Sequence, residues 1–318
     1  MIVKMKMKPT RDGYGEGLLE LGKTNPQVLV MDADLSKSTR TDWFMKEFPE
    51  RFFDIGIAEQ DMLGTAAGLA LAGKIPFVTT YGVFVAGRAW DQIRTTIAYA
   101  ELNVKIAGAH GGISVGPDGA THQALEEITL MRVLPNMTLV VPCDAVETKK
   151  ATLALASLQG PAYLRFTREA SPVFTSESDS FEIGKSITLK TGNDLTIIGC
   201  GPIVYEALMA AEELNKLGIS ARVINMHTIK PLDNGAIIQA ALETGAIVTA
   251  EEHQVMGGLG GAVAETLVQN SPVPVEMIGI QDTFGESGTP EELAEKYGLT
   301  SKHIIEAARK VLKRKAAI

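Results

Sequence analysis

The feature that most constrains this chain is an alternation, repeated twice along it, between short apolar runs and longer helix-like stretches. Residues 27–31, behind Pro26, form an apolar run with the length of a buried strand. A helical opening over 13–21 precedes this run, and a polar stretch over 32–41 leaves its carboxyl end. The pattern then predicts a helix over 58–72, a strand at 76–80, a helix over 87–99 and a strand at 104–107. A Gly-rich loop at 110–119 comes next, followed by a helix from Ala124, a strand at 138–141, a helix over 145–157 and a strand at 162–166. Residues 171–180, rich in Ser and acidic side chains, read as an exposed linker. A second alternation runs from Asp194 to the end, with strands at 195–199, 221–225, 246–249 and 275–280. Strands separated by helices pair in parallel, so the predicted fold class is α/β with parallel sheets flanked by helices. Two α/β domains are expected, over 1–172 and 186–318, joined by a linker at 173–185, the second domain being the smaller.

The length of 318 residues suits two domains that each bury their own core. With 45% hydrophobic and 21% charged residues and no low-complexity tract, the chain is neither disordered nor fibrous. Its formal net charge of -8 argues against coating nucleic acid, which needs a basic surface. Cys143 and Cys200 lie far apart, without the spacing of a zinc site or redox pair, and read as buried thiols in a reducing compartment. No residue is assigned as a metal ligand. The start, residues 1–8, is basic, but no signal-peptide stretch follows it and no later run is long enough to span a bilayer. A cytoplasmic protein with no membrane partner is expected.

Ligands of open α/β sheets gather at the carboxyl ends of strands, which directs attention to the loops at Asp32, Tyr81 and His110. Glu59, in the run Gly56-Ile57-Ala58-Glu59-Gln60, stands near the start of a helix, where a Glu ordinarily serves the dipole and the unpaired backbone donors. Its setting adds something further. Gly56, Gly64, Gly68 and Gly73, with alanines between them, leave little bulk on this helix, as a crowded interface requires. A second constellation is His110-Gly111-Gly112 followed by Gly116-Pro117-Asp118-Gly119-Ala120-Thr121-His122. Two histidines and an aspartate around one Gly-rich loop suit proton transfer or phosphate binding near neutral pH better than a bare connection. Arg11, Ser38 and Arg168 are ordinary surface and turn residues when taken singly. The Gly-rich run 251–261 lacks both the P-loop ending and a dinucleotide fingerprint, and reads as tight strand-to-helix packing.

In their order, these pieces resemble the C-terminal part of transketolase over nearly the whole chain. The matching segments are Asp32-Ala33-Asp34-Leu35, Phe53-Asp54-Ile55-Gly56-Ile57-Ala58-Glu59-Gln60, Arg88-Ala89-Trp90-Asp91-Gln92-Ile93-Arg94 and Gly116-Pro117-Asp118-Gly119-Ala120-Thr121-His122-Gln123. The resemblance implies a first domain that binds the aminopyrimidine ring of thiamine diphosphate and a second, transketolase C-terminal-type domain without direct cofactor chemistry. It implies that Glu59 is held against the pyrimidine nitrogen, promoting the imino tautomer that deprotonates the thiazolium carbon. Phe84 would stack on the ring, and Asp34 and Arg88 would lie near the cofactor. His110 and His122 would handle hydroxyl and proton movements of the sugar, and Asp118 would recognise the hydroxyl next to the donor carbonyl. Arg11, Ser38 and Arg168 would hold the sugar phosphate, Arg because its fork of donors matches phosphate oxygens.

The same family binds the diphosphate and its Mg2+ (or Ca2+) through an N-terminal domain with a Gly-Asp-Gly motif and a later Asn. This sequence has no such segment, so a separate N-terminal subunit is expected to supply it in a two-chain transketolase, as an α2β2 assembly with a homodimer contact. The expected reaction is transfer of a two-carbon ketol unit between phosphorylated sugars of the pentose phosphate pathway. Alternatives are the beta subunit of a 2-oxo acid dehydrogenase, a deoxyxylulose phosphate synthase-like subunit, a subunit acting on sulfosugars, or a non-catalytic α/β module.

Overall fold

The computed structural model describes residues 5–317. Residues 1–4 of the basic N-terminal run, and Ile318, lie outside the described residues. Val28–Asp32 is buried along its whole length, as a continuous apolar strand covered on both faces must be. It belongs to a seven-stranded sheet ordered Thr228–Lys230, Thr138–Val140, Ala162–Arg165, Lys105–Ala109, Ile75–Tyr81, Val28–Asp32, Phe52–Asp54. Neighbours pair in parallel throughout, except that Thr228–Lys230 runs antiparallel at one edge. The chain leaves Val28–Asp32 toward the opposite edge at Phe52–Asp54 and returns on its other side at Ile75–Tyr81. The carboxyl ends of Val28–Asp32 and Ile75–Tyr81 therefore flank a topological switch point, where such sheets bind ligands.

Helices Thr10–Thr24 and Ala145–Ser157 cover one face, so close together that a Cβ on Gly13 would lie 2.0 Å from the Ala145 carbonyl oxygen. On the other face Glu59–Leu71 buries Met62, Leu63, Ala66 and Ala67 in a core shared with Met31, Val78 and Ile106. Its outer side, at Gln60, Asp61, Gly64, Thr65, Gly68 and Leu71, is exposed. The helix expected over 87–99 is two pieces instead. Gly82–Arg88 starts directly after Tyr81 and stops at Ala89 (φ -114°, ψ 18°). The second piece contains Gln92–Ala98, whose turns are widened: Tyr99 N–H donates to the Arg94 carbonyl and Leu102 N–H to that of Ile97, five residues back. At the break, Trp90 Nε1–H donates to the Leu130 carbonyl at 3.1 Å, which fixes the second piece against a neighbouring helix.

The linker is anchored along its first half. Ala170–Pro172 pairs antiparallel with Met7–Pro9, and the buried Asp144 carboxylate accepts from the Phe174 and Thr175 N–H groups at 2.9 and 2.7 Å. Residues 176–180 are exposed. The second sheet is ordered Val275–Ile280, Ile247–Gln254, Leu195–Gly199, Ala221–Asn225, Ile187–Lys190, with only the last strand antiparallel. The Gly-rich run after Ile247–Gln254 is a tight turn into helix Leu259–Asn270. Glu251 accepts from the Leu259 and Gly260 N–H groups at 2.8 Å each, and a Cβ on Gly258 would lie 2.1 Å from its Oε2. Cys143 and Cys200 are both buried and unpaired. Among the described residues, no helix is long and apolar enough to cross a membrane.

Candidate active site

The loop leaving Val28–Asp32 is pinned by its own first residue. Buried Asp32 accepts from Leu35 N–H at 2.6 Å and from the Thr39 and Thr41 hydroxyls at 2.8 and 2.7 Å. Burial pushes its carboxyl up to about 6 against those hydrogen bonds. The pinned loop presents Asp34, Ser38 and Arg40, of which Asp34 and Arg40 take left-handed backbone conformations (φ 61° and 73°). Asp34 is exposed, and its N–H donates to Asp54 Oδ1 at 3.1 Å. The same oxygen accepts from Gly56 N–H at 2.9 Å, so Asp54 ties the Asp34 loop to the segment that leads into Glu59.

Glu59 is the first residue of its helix, only 4% exposed. Arg88 Nη1 donates to its Oε1 at 2.8 Å, and the Arg88 guanidinium carbon lies 4.0 Å from the centre of the Phe84 ring. Gln60 Nε2 donates to the Arg88 carbonyl at 3.0 Å. The carboxylate, the guanidinium and the aromatic face thus form one unit across two helices.

Next to that unit stands an aromatic stack. Tyr81, at the end of Ile75–Tyr81, lies flat on His110 with centroids 4.0 Å apart, and on Phe84 at 5.6 Å. His122 meets Phe84 edge-on at 5.4 Å and Tyr81 at 6.1 Å. His110 is buried with φ 59°, and neither ring nitrogen has a hydrogen-bond partner among the described residues. Burial first, then the Arg11, Arg168, His122 and Arg40 charges, push its imidazole down to about 3. A neutral, unpartnered buried imidazole retains one donor and one acceptor for a ligand. His122 Nδ1 shares a hydrogen with the Thr121 hydroxyl at 2.9 Å.

Beyond the histidines lies a cationic pole. Arg11 Nη1 donates to the Ser38 carbonyl at 2.9 Å, and Arg168 Nη1 to Asp118 Oδ2 at 3.1 Å. Arg40 Nε donates to Asp12 Oδ1 at 2.7 Å. Burial, and then the Arg40 charge, hold the Arg11 guanidinium below its ordinary value. The structure therefore draws Glu59, Phe84, Arg88, His110 and His122 into one patch, and Arg11, Ser38, Asp118 and Arg168 into a cationic flank beside it. Asp34 joins only through Asp54. Tyr81, Asp54 and Arg40 escape sequence reasoning as site residues; the place of Tyr81 at a strand's carboxyl end is the one signal that points to it. Among the described residues, no cluster of three His, Cys, Asp or Glu side chains is placed to hold a metal ion. A cavity of about 650 Å³ lies elsewhere, lined by residues that include Arg132, Lys230 and Glu265, none of which belongs to this set.

Comparison with known proteins matches residues 6–173 to the transketolase pyrimidine-binding domain and residues 184–304 to the transketolase C-terminal domain. The chain is 43% identical over 313 residues to the 6-deoxy-6-sulfo-D-fructose transketolase subunit SqwH of Clostridium sp., covering 98% of this chain and 97% of that one. It is 42% identical over 305 residues to one subunit of the apulose-4-phosphate transketolase of Phocaeicola vulgatus, covering 96% and 97%. A solved structure described as a split gene transketolase, inactive beta4 tetramer, superposes with a TM-score of 0.91 at 50% identity, covering 96% of this chain and 99% of that one.

Proposed function

The chain belongs to the transketolase family, and on that premise we propose that it is the pyrimidine-binding subunit of a two-chain, thiamine diphosphate-dependent transketolase. The observation that carries this reading is the patch in which buried Glu59, the Phe84 face and the unpartnered His110 ring converge beside the Arg11–Arg168 pole. A buried carboxylate next to an aromatic face fits an aminopyrimidine ring, one group for a ring nitrogen and the other for stacking. When bound, thiamine diphosphate supplies the carbon nucleophile that no amino-acid side chain provides.

This chain's residues do the rest. Glu59 holds the pyrimidine nitrogen, Phe84 stacks on the ring, and Asp34 and Arg88 border the cofactor. His110 and His122 hold and move protons at the sugar hydroxyls, and Asp118 receives the hydroxyl next to the donor carbonyl. Arg11, Ser38 and Arg168 take the anionic end of the sugar, and Tyr81 keeps His110 in plane for its work. The partner subunit contributes the diphosphate-binding domain and the Mg2+ or Ca2+, in an α2β2 assembly. The exposed side of helix Glu59–Leu71 suits that contact, because Gly64 and Gly68 leave its backbone open to close approach.

The transferred group is a two-carbon ketol unit, and both donor and acceptor end in an anion. A guanidinium pole accepts a phosphate or a sulfonate, and of the two transketolase relatives one is named for a sulfosugar and the other for a sugar phosphate. Reconstitution with a diphosphate-binding partner, thiamine diphosphate and Mg2+, followed by a donor–acceptor screen, tests the proposal. Ketol transfer is expected from the pair and not from this chain alone, and Glu59→Gln in the pair is expected to lower kcat by about 100-fold or more. Full activity from this chain without a partner would sink the reading.

A further inference from the structure

The loop that carries His110, Asp118 and His122 rests on the second domain. Ser114 N–H donates to Glu252 Oε1 at 2.6 Å, across the boundary between the two sheets. Gly112 (φ 92°) makes that approach possible, since a Cβ there would lie 2.3 Å from the Glu252 carboxyl carbon. Glu252 is 9% exposed and is itself held from the first domain: Arg165, 2% exposed, donates from Nη2 to the Glu252 carbonyl at 2.7 Å and from Nε to Glu127 Oε1 at 2.5 Å. The strand Ile247–Gln254 shifts register against Val275–Ile280 after Ala250, and its last residues turn to the first domain. There Gln254 N–H donates to the Leu125 carbonyl at 3.0 Å, and Ile128 N–H to His253 Nε2 at 3.2 Å. The far end of the loop is gripped as well. Gln123 Nε2 donates to the Glu286 carbonyl at 2.9 Å, and a Cβ on Gly119 would lie 2.7 Å from the Ser287 hydroxyl.

We infer that Glu252 is a positioning residue for ketol transfer: from the second domain, it fixes the backbone of the 110–122 loop so that His110, Asp118 and His122 face the substrate together. The inference rests on the transketolase reading for its kinetic arm and on geometry alone for its structural arm. A side chain acting through its hydrogen-bond acceptor is replaceable by a neutral acceptor of the same length, but not by a shorter carboxylate. A side chain kept for its charge beside Arg165 behaves in the opposite way.

Glu252→Gln, Glu252→Asp and Glu252→Ala are therefore compared in the reconstituted pair and, by amide hydrogen exchange, in the full chain. In Glu252→Asp and Glu252→Ala, the Ser114 amide is expected to exchange at least about tenfold faster, and kcat to fall about tenfold to a hundredfold. Glu252→Gln is expected to keep both within about threefold. Should Glu252→Ala fail to fold, the Asp and Gln variants decide alone. Unchanged Ser114 exchange in Glu252→Asp, or an active Asp variant beside an inactive Gln variant, would overturn the assignment. A wild-type pair without ketol transfer would instead count against the proposed function, and the exchange result would still decide the role of Glu252.

Discussion

His110 combines burial, a left-handed backbone and two unpartnered nitrogens, a costly arrangement of the kind that suits a ligand-facing role. Its imidazole is pushed down to about 3 from an ordinary 6.5, so the folded chain holds it neutral where the unfolded chain protonates it. Between those values the unfolded state binds more protons, and stability contributed by this group is lost as pH falls through 6.5 toward 3. From pH 7 to pH 5 the loss amounts to about 2 kcal/mol. Wild type is therefore expected to lose about that much more unfolding free energy over this interval than His110→Asn, measured by urea titration at both values; equal losses would mean that His110 titrates normally. Arg11→Ala is expected to raise KM for anionic sugars more than about tenfold while sparing that for their uncharged analogues, in a steady-state comparison of the two. Glu59 and His110 are visible in the sequence because each lies in a motif, whereas Arg11, ordinary when taken singly, is picked out only through the family resemblance. Arg40 is not visible, because an arginine in a polar loop gains meaning only from a contact distant in the chain, here with Asp12, and Tyr81 is marked only by its place at a strand's carboxyl end until its stack on His110 gives it a role.

At the scale of elements, the alternation of apolar runs indicates the parallel strands well, since strands covered on both faces are mostly apolar. The break at Ala89 is not legible: Gly87 alone does not set where the helix stops, and the Trp90 hydrogen bond to the Leu130 carbonyl that accompanies the break joins residues far apart in the chain. The short strands Phe52–Asp54 and Thr228–Lys230 escape for a different reason: three residues register only inside a longer apolar run, as Thr138–Val140 does and these two do not. Glycines separate into two kinds that the sequence alone does not distinguish. Gly13→Ala places its methyl against the Ala145 carbonyl between two packed helices and is expected to destabilise by about 1–3 kcal/mol or more. At Gly64 and Gly68 a Cβ would meet nothing within 4 Å, so that in the isolated chain Gly64→Ala and Gly68→Ala are each expected to stabilise by about 0.5–1 kcal/mol. If that helix face meets the partner subunit, the same two changes weaken assembly, read as a higher Kd in titration calorimetry. A gain in thermal stability with no loss of assembly would place the contact elsewhere.

At the scale of the whole molecule, the two sheets are interlocked rather than strung together. Thr228–Lys230 lies after the linker in sequence, yet it forms the edge of the first sheet by pairing with Thr138–Val140. Buried Arg165 of the first sheet takes the Glu252 carbonyl of the second, and Glu252 takes Ser114 of the first. Cutting the chain in the linker would therefore strip the first sheet of its edge strand, expose Thr138–Val140 as an open edge, and leave Arg165 and the Ser114 amide without these partners. Losing a hydrogen bond made by a buried charged group costs about 1.5–3 kcal/mol, the bared sheet edge adds to this, and in domains of this size each kcal/mol moves the midpoint by about 2–4 °C. A fragment of residues 1–185 is expected to melt at least about 10 °C below the full chain, or not to fold at all. The full chain, by contrast, is expected to unfold in one calorimetric transition, because neither sheet retains its buried contacts once the other has opened. Two resolved transitions, with the earlier one matching the free second domain, would show that the contacts around Arg165 do not couple the halves, and the second domain would then lose its hold on the loop that bears His110.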